Sequence, residues 1–229
     1  MPSLHPSEAS ALISSFSAFL TIAIHNILYH RSLYPRPSFR MGRAYALAVH
    51  QSRHPGVCSW VRDAVGAVEA KIREDAVGRI ALSIHRPVDN DVVERWVFDL
   101  DRGFPRFDNL DLHHHQNHHH DDDTSAYAPA APGPPPLNTS DLHQSWRAAL
   151  QRLTVVASSL PPTPENCTFA IALELRDDAA PPTQHPQLWI PSEPPLQLPS
   201  GHALRGRSTT PVRSVQAGPL FFDCWVERA

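Results

Sequence analysis

Residues 7–35 read SEASALISSFSAFLTIAIHNILYHRSLYP. Leu12, Phe16, Phe19/Leu20, Ala23/Ile24 and Ile27/Leu28 recur in steps of three and four, which gathers them on one face of an amphipathic helix. Ser7 can cap its N-terminus, and Glu8 suits the positive end of the helix dipole. Pro35 and Pro37 forbid continuation, so the expected end is near Tyr34. The apolar run from Ala18 to Leu28 is short for a membrane span and carries His25 and Asn26. No Lys or Arg precedes it and no small-residue cleavage site follows, so neither a span nor a secretory signal is expected. The stretch predicts a core helix, and the rest of the chain must supply what it packs against.

Outward from it, Arg36 to Arg53 is a mixed segment in which Tyr45, Leu47 and Val49 alternate as a short strand would. His54-Pro55 opens a second helix with a buried stripe of Val57, Val61, Ala64/Val65, Val68 and Ile72, and Trp60 stands beside that stripe. Ile80, Leu82 and Ile84, then Trp96, Phe98 and Leu100, alternate on either side of HRPVDND (85–91), whose turn chemistry predicts an antiparallel pair. A third helix is expected after a cap at Thr139, Ser140 or Asp141, with Leu142, Trp146, Ala149/Leu150, Leu153 and Val156/Ala157 inward and Pro161-Pro162 as its stop. Cys167 to Arg176 is the cleanest strand alternation. Asp177 to Pro219 is rich in Pro and Gln, interrupted by Leu188-Trp189-Ile190, and Pro bars most of it from a central strand. Leu220 to Val226 is a β-type run near the terminus, expected to dock into a sheet. Strands grouped with helices, without strict alternation, predict an α+β domain over 1–229: an antiparallel sheet with three helices packed on it.

The 24 prolines cluster, so the foldable part is well short of 229 residues. Residues 101–138, with HHHQNHHHDDD and a Pro/Ala run, read as a disordered His/Pro-rich insertion. His113–His115, His118–His120 and Asp121–Asp123 have the ligand types for zinc or nickel but lack the fixed geometry a site needs, so no metal site is expected. The formal net charge of -3 does not advertise a basic face for DNA, and no direct DNA site is expected. Arg205, Arg207 and Arg213 stand in an acid-free stretch without interleaved aromatics and read as a solvated loop. Cys58, Cys167 and Cys224, with no C-x-x-C, read as buried reduced thiols. The sequons at Asn138 and Asn166 read as chance matches. No G-x-S-x-G, H-E-x-x-H, Walker loop or G-x-G-x-x-G occurs, so no catalytic residue or cofactor is expected. Asp99 and Asp101 form a D-x-D that reads as a polar strand end, and His25 and His30 as a core-edge and a surface histidine. Trp60 and Trp189 are sharper signals, since a Trp in a Pro-rich polar arm anchors either the arm or a partner.

His25-Asn26-Ile27-Leu28-Tyr29 with Arg31 and Tyr34-Pro35 resembles the first helix of the HORMA-domain accessory subunits of DNA polymerase zeta. The resemblance continues through His54-Pro55, His85-Arg86-Pro87-Val88, Val97-Phe98, Arg147-Ala148, Cys167-Thr168-Phe169, Trp189-Ile190 and Pro211 to Trp225-Val226-Glu227. It covers most of the chain except 101–138 and roughly 177–208, and it ranks the spindle-checkpoint HORMA protein second. What it implies is a HORMA fold whose C-terminal arm, here 177–229, is a safety belt closing over a peptide that adds to a sheet edge. It implies a non-catalytic adaptor in translesion DNA synthesis that holds a Pro-rich peptide of the polymerase zeta catalytic subunit through Tyr34, Trp60 and Trp189. Trp60 replaces a tyrosine of the family. A contact with the deoxycytidyl-transferase scaffold polymerase maps to Thr209, Asp223 and Trp225, each departing from the family residue. Arg147 matches an arginine of HORMA homo- or heterodimers, and an AAA+ remodeller is a further implied partner. The implied place is the nucleus, with the cytoplasm second, and no membrane.

Overall fold

A computed structural model of the chain describes residues 6–101, 137–176, 179–183, 188–190 and 208–229. The His/Pro-rich insertion, its histidine tract, Arg205 and Arg207 therefore lie outside the described residues.

The apolar stripe that opens the sequence forms α1 (Pro6–His30), and Leu12, Ile13, Phe16, Phe19, Leu20, Ile24, Ile27 and Leu28 are all buried. This helix is long and apolar enough to cross a membrane, yet most of it is buried inside the domain. It is a core helix. It ends about a turn before Tyr34: Ser32 adopts φ 54°, and Leu33 N donates to Leu28 O, so the reversal begins before the prolines are reached. A single 3-10 turn (Arg36–Ser38) leads into β1 (Phe39–Ala44) and β2 (Leu47–Ser52), an antiparallel pair. The single strand expected around Tyr45 is thus a hairpin with Tyr45 in its turn. Tyr45 and Ala46 both take positive φ, the geometry of a two-residue hairpin turn, without the Gly or Asn that normally signals it.

α2 (Pro55–Arg73) starts at His54, whose Nδ1 accepts from Val57 N at 3.4 Å. β3 (Val77–His85) and β4 (Val92–Asp99) pair antiparallel, with Leu82 opposite Trp96 and Ile80 opposite Phe98, as the alternation predicts. α3 (Thr139–Ser159) is capped one residue earlier than expected, by Asn138, whose Oδ1 accepts from Ser140 N. β5 (Thr168–Leu175) pairs with β3. The arm contains a strand that the sequence reading missed, β6 (Ser208–Ala217), which pairs with the terminal β7 (Leu220–Arg228). Pro211 is tolerated there because β6 is an edge strand with an irregularity between Pro211 and Arg213.

The five-stranded antiparallel sheet runs β5-β3-β4-β7-β6. Its inward side chains meet the helices in one aromatic cluster. Phe19 stacks on Trp146 of α3 at 4.7 Å, Phe16 meets Phe222 of β7 edge-on at 5.5 Å, and Phe19 meets Phe98 of β4. α1 is therefore sandwiched between α2, α3 and the sheet. The architecture is the α+β arrangement expected from the sequence, three helices on an antiparallel sheet.

Candidate functional site: an unpaired sheet edge with aromatic walls

β5 and β6 are the two edges of the sheet. β6 rests against α3, where Ser145 Oγ donates to Gln216 O and Arg152 Nε to Val212 O. β5 has β3 on one side and no strand on the other among the described residues. An edge of this kind presents a row of main-chain donors and acceptors to a further strand. Three aromatic side chains stand beside it. Phe169 of β5 meets Trp60 edge-on at 5.0 Å and Tyr34 edge-on at 6.4 Å. All three are half-buried against the core, leaving part of each ring open. Burial raises the pKa of the Tyr34 phenol, so it remains a neutral donor at physiological pH.

The structure thus brings Tyr34 and Trp60 together through Phe169, a residue that sequence reasoning placed in the strand but not in the site. The signal was there: of the inward positions of β5, Phe169 is the aromatic one, at the strand end nearest the end of α1. Trp189 packs half-buried against the same core, while Leu188 and Ile190 on either side are 93% and 86% exposed. The Trp189 ring thus faces the core between two exposed aliphatic side chains. Burial of that ring contributes on the order of 2–3 kcal/mol.

Thr209, Asp223 and Trp225 share one face of the β6–β7 hairpin, the face away from the helices. Trp225 lies opposite Pro211 and Val97, Asp223 opposite Ser214 and Asp99, and Thr209 opposite Glu227. The Trp225 indole donates to Glu227 Oε1 at 2.9 Å, and Ser214 Oγ donates to Asp223. Arg147 is exposed on the outer side of α3 and makes no ion pair among the described residues.

The other sequence candidates have local partners. Asp99 accepts from Arg79 at 2.7 Å, and Asp101 lies 3.8 Å from Arg79 and 4.0 Å from Arg176, so both carboxylates are neutralised by arginine. No group of three metal-ligating side chains is found among the described residues. Cys58, Cys167 and Cys224 are free thiols; Cys58 is half-buried rather than buried, with its Sγ donating to Ser52 O. His30 is not a plain surface group. Its Nδ1 sits 3.1 Å from Ser158 Oγ, and its ring abuts Tyr29 and His50.

His25 is 2% exposed, its Nδ1 has no hydrogen-bond partner among the described residues, and burial lowers its pKa to about 4. His30 is likewise lowered to about 4 by burial, with His50 and Arg36 adding to the effect. Because these folded-state values lie below that of free imidazole, the unfolded chain takes up protons first as pH falls. The stability they protect is full above about pH 6.5 and is lost on the way down to about pH 4. We expect urea unfolding at pH 5 to show a clear loss relative to pH 7. A His25→Gln variant should have a shallower pH dependence by nearly one proton. An unchanged slope in that variant would mean that His25 takes up its proton equally in the folded and unfolded states.

A HORMA-domain family model matches residues 14–210. The chain is 30% identical over 216 residues to the DNA polymerase zeta processivity subunit of Schizosaccharomyces pombe, covering 94% of this chain and 92% of that protein. It is 25% identical over 171 residues to the human mitotic spindle assembly checkpoint protein MAD2B, spanning 70% of this chain and 64% of that protein. Among solved structures, a chain of the mitotic checkpoint complex superposes with a TM-score of 0.68 at 20% identity, covering 96% of this chain and 99% of that one. Caenorhabditis elegans HTP-2 bound to a HIM-3 closure motif gives 0.60 at 12% identity, covering 94% and 89%.

Proposed function

The chain belongs to the HORMA-domain family, and from that membership we propose that it is a non-catalytic adaptor subunit of the translesion DNA polymerase zeta. In this reading a Pro-rich peptide of the catalytic subunit adds to the open edge of β5. Its side chains lie on Tyr34, Trp60 and Phe169, and the arm closes over it, anchored by Trp189. The single observation carrying the proposal is that open edge beside an aromatic wall, with the chain's own terminal hairpin docked on the far side of the sheet. Aromatic rings suit a Pro-rich ligand, which loses little conformational freedom on binding. Closure slows escape, so affinity should reside mainly in a small koff.

The outer face carrying Thr209, Asp223 and Trp225 is the proposed contact for the scaffold polymerase. Arg147 is the proposed contact for a second HORMA domain, and an AAA+ remodeller is the proposed means of opening the arm. The place of action in this reading is the nucleus. A spindle-checkpoint role is the second reading, favoured by the checkpoint names of the 25% and 23% identical relatives and set behind the first by the 30% match.

The test is a binding titration with a Pro-rich segment of the catalytic subunit. Trp189→Ala should weaken capture more than tenfold, chiefly by raising koff. Unchanged binding would remove Trp189 from the site, and tighter capture of a checkpoint-motif peptide than of the polymerase segment would favour the second reading.

A further inference from the structure

Between Glu8 and Asp63 the sequence contains no acidic residue, yet it contains Arg31, Arg36, Arg40, Arg43, Arg53 and Arg62. Two of these have carboxylate partners: Arg31 pairs with Glu94, and Arg62 lies 3.5 Å from Asp63. The other four make no ion pair among the described residues, and all four are exposed.

The fold gathers them on one element. Arg40 and Arg43 belong to β1, Arg36 to the turn entering it, and Arg53 joins that turn where its N–H donates to Ser38 O at 2.7 Å. β2 lies against α1 and makes β1 the outer strand, with Arg40, Met41, Gly42 and Arg43 exposed in succession. The alternation of a strand sends Arg40 and Arg43 to opposite faces of this rim. Burial lowers the pKa of His30 and His50, and the nearby charge of Arg36 adds to the effect on both. Gly42 has nothing within 4 Å of where a Cβ would stand, which leaves the rim open between the two arginines. The net charge of -3 conceals this segregation.

We propose that the β1–β2 hairpin is a duplex-DNA contact, in which Arg36, Arg40, Arg43 and Arg53 bind backbone phosphates without reading sequence. Guanidinium groups match phosphate oxygens bidentately, and cations without a carboxylate partner along an outer rim, Arg40 being held out by Gln51 Oε1, are complementary to a polyanion with evenly spaced charges. The tyrosines of this region are already engaged: Tyr29 stacks on His50 with Arg36 over its ring, and Tyr45 packs against His143. Tyr34, two residues before Arg36, is half-buried beside Phe169, and no run of open rings interleaves with these arginines among the described residues, which favours duplex over single strand. This surface is separate from the β5 edge, so the two assignments stand or fall independently.

The experiment is fluorescence anisotropy of the full chain against a labelled random-sequence 24-bp duplex, an equally long oligo-dT and a poly-Glu peptide, from 25 to 200 mM NaCl. The duplex should bind best. With four phosphates neutralised, log K should fall against log salt with a slope of about -3 to -4. Arg40→Ala/Arg43→Ala should bind at least tenfold more weakly at 50 mM salt, with the slope reduced by about 2. Arg62→Ala should behave as the parent, and Trp60→Ala should lose peptide capture but keep the duplex. Circular dichroism of the double variant checks that it remains folded. No duplex binding at 25 mM NaCl, binding indifferent to the double substitution, or tighter binding of oligo-dT or poly-Glu would each overturn the proposal.

Discussion

Replacing Glu94 by alanine is expected to cost about 3–5 kcal/mol, because it leaves a guanidinium buried without its counter-charge. Glu94 is 1% exposed on β4 and Arg31 is 3% exposed just past α1. Arg31 Nη2 donates to Glu94 Oε1 at 2.6 Å and Nε to Oε2 at 2.9 Å, a bidentate pair. The carboxylate also accepts from the Trp96 indole at 3.3 Å and has Arg228 of β7 at 3.7 Å. The guanidinium's remaining donors reach Ala157 O at 2.9 Å, Leu160 O at 3.3 Å and Pro161 O. One ion pair thus ties the end of α1, the end of α3, β4 and the terminal strand. In a thermal melt the loss should lower Tm by about 6–20 °C for a domain of this size. The double variant Arg31→Met/Glu94→Met should recover part of that loss, since the fully buried guanidinium is gone and the charge left behind, Arg228, is only half-buried. Recovery should be incomplete, because the carbonyls of Ala157, Leu160 and Pro161 lose their donor. A Glu94→Ala melt within about 2 °C of the parent would show that solvent reaches the pair and screens it.

That pair shows which features were legible and which were not. Helices and strands with a periodic apolar face were readable, because α1, α2, β3, β4, α3, β5 and β7 each carry their burial pattern in sequence. Arg31 and Glu94 are 63 residues apart, so their pairing depends on topology that no local pattern encodes. The β1–β2 hairpin was read as a single strand because its turn uses Tyr45 and Ala46 at positive φ, a strain that packing of Tyr45 against His143 offsets. β6 was hidden by Pro211, which an edge strand accepts and a central one does not. At the candidate site, Tyr34, Trp60 and Trp189 came from resemblance to a family. Phe169, which joins two of them, needed the register of β5 against β3 to place it.

Phe222→Ala is expected to be as severe as the loss of Glu94 and to act on the arm in particular. Phe222 is fully buried, with ring centroids 5.5 Å from Phe16, 5.8 Å from Phe19, 6.1 Å from Trp146 and 6.3 Å from Phe98. Truncating a ring enclosed on that many sides costs about 3–5 kcal/mol, the lost transfer energy plus the cavity that remains. Among the described residues β7 joins the rest of the sheet only through β4, and β6 only through β7, so the terminal hairpin can leave as a unit. Hydrogen exchange should therefore show the β6–β7 amides losing more protection than those of β3–β5. If the arm traps a partner strand on β5, peptide release from Phe222→Ala should also be faster, by a factor that tracks the extra opening of the hairpin. Equal loss of protection across all five strands would instead mean that the sheet opens as one body. Retention of a bound peptide would then owe nothing to a separately opening terminal hairpin.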